Sequence, residues 1–100
     1  PQDMVIMCLD DLLANIVRFE QADLRKDREA RSRALTRCVT SLTALEMGVD
    51  RTAPLGDPLL QFYAAGKSAL LGMMISIEVG RLHAIKADFE DIRDSFRAAA

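Results

Sequence analysis

Apolar residues recur every three or four positions along almost the whole chain, a spacing that fits a helix buried along one face. The clearest stripe is Leu82, Ile85, Phe89, Ile92 and Phe96. Val5, Leu9, Leu12, Ile16 and Phe19 form another, as do Leu35, Cys38, Leu42 and Leu45. A further one runs through Leu59, Tyr63, Leu70, Met74 and Ile77. No segment alternates with a period of two, so no strand is expected. The pattern predicts an all-α fold, an antiparallel four-helix bundle, as a single domain over residues 1–100.

The polar breaks between stripes set the boundaries. The first helix is expected from about Gln2 to Ala22, followed by Asp23-Leu24-Arg25-Lys26-Asp27. Asp27 has the side chain of an N-cap, and a second helix should run from there to about Glu46, with Gly48 ending it. Gly48, Pro54, Gly56 and Pro58 mark the longest loop. Asp57-Pro58 offers a capping acceptor and a fixed φ, which predicts a third helix from Pro58 to about Val79. Gly80 is the expected break before the last helix. A continuous helix from Pro58 to Ala98 is the competing reading, because one glycine costs a helix only ~1 kcal/mol.

A net charge of −2 gives no global field toward nucleic acid or anionic lipid, and neither is expected as a partner. Ala69 to Ile77 is the most apolar stretch, far short of the ~20 residues of a membrane span. Cys8 and Cys38 fall on or beside core faces and are expected as free thiols, although a disulfide between neighbouring helices is conceivable. With one histidine and no Cys-x-x-Cys, no metal or other cofactor is expected.

Catalytic constellations are equally sparse. Asp10 and Asp11 are adjacent and so point about 100° apart on a helix, which is not the geometry of a carboxylate pair. His83-Ala84-Ile85-Lys86 has the His-x-x-Lys spacing of histidine phosphotransfer domains, but Ala87 stands where those domains generally have glycine. That leaves phosphotransfer through His83 as an alternative function. Arg25, Lys26, Arg28, Arg31, Arg33 and Arg37 form a basic run with Asp23, Asp27 and Glu29 interleaved and no aromatic residue to stack on bases, so it reads as a solvated face. Asp88, Glu90, Asp91 and Asp94 bias the last helix the other way. The chain is not expected to be an enzyme.

Two helices carry more apolar surface than one seam needs. Ile6, Leu13, Val17 and Leu24 form a second stripe on the first helix, and Leu60, Ala64, Leu71 and Ile75 one on the third. They are either the wide core faces of two central helices or a groove for an apolar partner helix or a second copy of the chain. A structural helical-bundle dimer is therefore another alternative.

Taken in order, the elements resemble the flagellin-specific export chaperone family. Met7-Cys8-Leu9-Asp10-Asp11 falls where that family has a Leu-Tyr-Asp-Gly-like string, Lys26-Asp27 at its polar break, and Leu42 and Leu45 at the end of its second helix. Gly56 lies in its loop, Phe62-Tyr63 at its Leu-Tyr pair, and Ile92-Arg93 and Phe96 at its closing Leu-Arg and aromatic residue. Leu9, Asp11 and Phe96 depart from the family's Tyr, Gly and Trp. The resemblance implies a cytoplasmic bundle that holds the disordered C-terminal segment of flagellin and prevents premature polymerisation. On that reading Leu60, Ala64, Leu71, Ile75, Ile6, Leu13 and Val17 are the candidate partner-binding residues. A segment ahead of the first helix occupies part of the client site in that family. Here the chain begins at Pro1 without a methionine, and that segment is expected to be removed, disordered or absent.

Overall fold

The computed structural model describes residues 2–99. Four helices follow one another: α1 (Gln2–Leu24), α2 (Arg28–Met47), α3 (Gly56–Leu71) and α4 (Val79–Ala99). They are antiparallel along a particle of 42 × 21 × 21 Å, and no strand occurs among the described residues. This is the all-α bundle the spacing predicts.

The α1/α2 hairpin is its centre. The turn closes through the Lys26 N–H to the Asp23 carbonyl at 3.0 Å and the Asp27 N–H to the Ala22 carbonyl at 2.9 Å. That pair of bonds is a helix-ending motif whose pivot residue is left-handed, usually glycine; here Lys26 takes the position at φ 57°. Asp27 caps α2 as its sequence position predicts, accepting the Ala30 N–H at 3.1 Å. Leu9, Leu12, Ile16 and Phe19 of α1 then pack with Leu35, Cys38, Leu42 and Leu45 of α2, all buried.

The two outer helices attach to different sides of this pair. α3 lies along α2 and α4 along α1. They meet each other through aromatic residues: the Phe62 and Phe89 ring centroids are 4.7 Å apart, and Tyr63 stacks on Phe89 at 6.4 Å. Gly66 makes that approach possible, since a Cβ there would stand 2.8 Å from Phe89 Cζ. Tyr63 is buried, and desolvation pushes its phenol up to about 12, with the Cys8 thiolate form adding to the effect.

The α3 boundaries differ from expectation at both ends. α3 begins at Gly56 after Leu55, which supplies no side-chain cap, so Asp57 lies inside the first turn instead of capping it. Gly56 is buried against the preceding loop: a Cβ would come within 2.2 Å of the Asp50 carbonyl oxygen. The loop itself is tied by Asp50, whose carboxylate accepts the Thr52 hydroxyl at 2.6 Å and its N–H at 2.9 Å, and whose pKa these bonds lower.

At its other end α3 stops at Leu71, well before Val79, and residues 72–78 are not helical. Gly72 ends the helix, and the chain is continuous neither through nor beyond it as a single helix. Gly80 sits in the first turn of α4 instead of before it. The shift in phase after Gly72 also exchanges two methionines, burying Met73 and leaving Met74 exposed.

Candidate partner-binding groove

Along one edge of the bundle, α2, the C-terminal end of α3 and the segment that follows it line an open groove of about 810 Å³. Leu35 and Val39 of α2 form part of its wall, with Leu71 of α3 and Met74 and Ile75 from the connection that follows. Asp23, Lys26, Arg28, Arg31, Ser32, Thr36 and Thr40 supply the polar boundary. Leu71 is 41% exposed, Met74 57% and Ile75 94%, so among the described residues much of this apolar surface stays open to water. Folding that leaves an isoleucine almost wholly in water forgoes its burial energy, on the order of 2 kcal/mol.

Arg31 builds the end of the groove. Its guanidinium lies 5.1 Å over the Phe19 ring and its Nε donates to Asp23 Oδ1 at 3.0 Å. Nη2 donates to the Met73 carbonyl at 2.6 Å, and Nη1 to the Met74 carbonyl. These carbonyls lie just past α3, where no further helical turn supplies N–H donors. One planar cation thus fixes the α1/α2 turn and the unwound segment together. Only 14% of the Arg31 side chain is exposed, so Arg31 is not part of the solvated run that its neighbours suggest. Nothing local in the sequence distinguishes it from Arg28 or Arg33; its partners arrive from 42 and 43 residues downstream.

A second, shallower groove of about 600 Å³ lies farther along the same α2/α3 edge, lined by Glu46, Met47, Val49, Arg51, Leu60, Gln61 and Ala64. Between the two, Lys67 of α3 reaches across to α2, donating to Glu46 Oε1 and to Thr43 Oγ1 at 3.5 Å. The predicted stripe on α3 therefore falls along one continuous edge but is divided: Leu71 and Ile75 in the larger groove, Leu60 and Ala64 in the smaller.

The stripe expected on α1 does not join them. Leu13 is buried in the common core and lines neither groove. Ile6 is half-buried, Val17 is 37% exposed, and neither lines either groove.

The remaining chemistry-bearing residues stand apart. His83 is exposed on α4 with its Nε2 at 2.8 and 3.0 Å from the two carboxylate oxygens of Glu20 on α1. Cys8 and Cys38 are free thiols. Cys38 is buried, and desolvation pushes its thiol up to about 12. Among the described residues no three His, Cys, Asp or Glu side chains gather as a metal site, and no helix is long and apolar enough to cross a membrane. No protein-family model matches the chain, and no curated protein matches it either.

Proposed function

We propose that this protein is a client-binding helical bundle that shields the apolar face of an amphipathic segment from another chain, and that its client is the C-terminal segment of flagellin before export. The observation that carries the binding reading is the α2/α3 groove, where Leu71, Met74 and Ile75 stand exposed beside one another. Apolar anchors at the end of a groove formed by two rigid helices suit helix-in-groove recognition, in which residues spaced by three and four insert together. A disordered client gains its structure on binding, at a cost of ~2–5 kcal/mol, and an edge that continues past Lys67 to Leu60 offers the extended contact this requires. The choice of flagellin rests on the order of sequence elements described above.

The test is titration of an isolated flagellin C-terminal segment with the purified protein, followed by fluorescence anisotropy and far-UV circular dichroism. Saturable binding with a gain of helix in the client is expected. Leu71→Asp should weaken it sharply while leaving the bundle folded, since a carboxylate at a 41% exposed position stays hydrated in the free protein and loses water only against the client. A tail that does not bind the parent protein removes the flagellar reading. A tail that binds Leu71→Asp unchanged moves the site away from this groove.

A further inference from the structure

We infer that the occupant of the α2/α3 groove is an amphipathic helix whose apolar face is bordered by carboxylates. This rests on the client-binding reading above and adds the charge of the partner to it. The groove's boundary carries Asp23, Lys26, Arg28 and Arg31. Asp23 and Arg31 neutralise each other at 3.0 Å, and Arg31 is further held by two backbone carbonyls. That leaves Lys26 and Arg28 as the lining charges without an ion-pair partner: both are exposed, neither is paired among the described residues, and the carboxylate of Asp27 between them is engaged in capping α2. Lys26 is set in place by the left-handed turn between α1 and α2, so its backbone is fixed relative to the groove before any partner arrives.

The same rim argues against the other occupants. A second copy docking through a two-fold axis would set this patch against itself, and the patch holds no free carboxylate for Lys26 and Arg28 to meet, since Asp23 is already paired with Arg31. A flat bilayer surface would meet Ile75, which is almost wholly exposed, but would leave unfilled the recess that Leu71 and Met74 line, which the side chains of a partner helix enter. A helix with apolar residues at i, i+3, i+4 and i+7 reaches into such a recess, and glutamates beside that stripe meet the two cations.

Three peptides that share one apolar stripe and differ only in whether the flanking positions are Glu, Gln or Lys separate these cases. Binding to the full chain is read by fluorescence anisotropy. The Glu-flanked peptide is expected to bind about tenfold more tightly than the Lys-flanked one at about 0.05 M salt, with the difference largely gone at about 0.5 M. Lys26→Glu combined with Arg28→Glu should reverse the preference. Ile75→Asp should weaken all three peptides by about tenfold or more without altering the helical circular dichroism, because that side chain is almost wholly in water.

Equal affinities for the three peptides would overturn carboxylate selection while leaving the client-binding groove intact. Failure of all three to bind the folded parent protein would overturn that groove reading as well. Binding to vesicles of anionic phospholipid that depends on Ile75, without peptide binding, would replace the helical partner by a membrane surface. Concentration-dependent self-association that Ile75→Asp abolishes would replace it by a second copy.

Discussion

α1 and α4 are nearly equal in length and carry equally regular apolar stripes, yet they are buried to different depths. α1 buries Leu9, Leu12, Leu13, Asn15, Ile16, Phe19 and Ala22; α4 buries only Leu82 and Phe89, with Ile85, Ile92 and Phe96 half-buried. The cause is position. α1 lies between α2 and α4, whereas α4 leans on α1 and meets α3 mainly where Phe89 fits over Gly66. Spacing therefore identifies the face a helix turns inward, but the number of neighbours determines how much of that face leaves water.

The largest test of this difference is a matched pair of truncations. Leu12→Ala removes a side chain with no exposure and should cost ~2–5 kcal/mol in chemical denaturation, from lost transfer energy and an unfilled cavity. Ile92→Ala acts at a half-buried position of the same kind of stripe and should cost about 1 kcal/mol, since solvent already reaches part of the site. Equal costs would mean that α4 is as deeply enclosed as α1.

The same contrast explains what could be read before folding. The core seams of α1 and α2 and the Asp27 cap are legible because they depend on residues within a turn or two of each other. The end of α3 is not. A lone glycine is tolerated inside a helix at ~1 kcal/mol, so Gly72 and Gly80 offer similar breaks, and the choice falls to Arg31, which satisfies the Met73 and Met74 carbonyls from another helix. Leu13 and Leu71 divide for a related reason. Each extends an apolar stripe sideways, but a neighbouring helix covers only the first. Half of the candidate site was thus visible as composition on α3, while its basic boundary from the α1/α2 turn depends on a tertiary arrangement.

A second test compares the two cysteines. Cys38 lies in the α1/α2 seam with no exposure, whereas Cys8 is only half-buried on α1. Both are expected to be unreactive from their stripe positions alone, but the structure separates them: native-state alkylation should label Cys8 first and Cys38 only on unfolding. The Cys38 thiol is pushed up to about 12 from an ordinary value of 9.0. Over that interval the unfolded chain releases a proton that the folded one keeps, so stability is unaffected below about pH 9 and falls as pH rises toward 12. Tyr63, raised from 10.0 to about 12, acts in the same direction over its own interval. Each should contribute a decline on the order of 1 kcal/mol per pH unit within its own interval in alkaline denaturation curves. A flat profile to pH 11, or early labelling of Cys38, would show that water reaches the α1/α2 seam.

The smallest effect concerns how α4 is held where burial is shallow. Asp10 of α1 accepts from Arg97 Nη2 at 3.0 Å and lies 3.4 Å from Arg93 Nη1, and the Gln2 side chain donates to the Phe96 carbonyl at 2.9 Å. Arg93 is mostly covered, but Asp10 and Arg97 are 41% and 50% exposed, so water competes for both partners and ions screen the pair. Asp10→Asn removes the charge and retains an acceptor. It should lower stability by less than about 1 kcal/mol, and the loss should shrink as salt is raised. A loss of ~3 kcal/mol or more that salt leaves unchanged would place Asp10 in a desolvated network. The attachment of α4 would then rest on charge, and its partial burial would no longer explain why it is the less enclosed of the two helices.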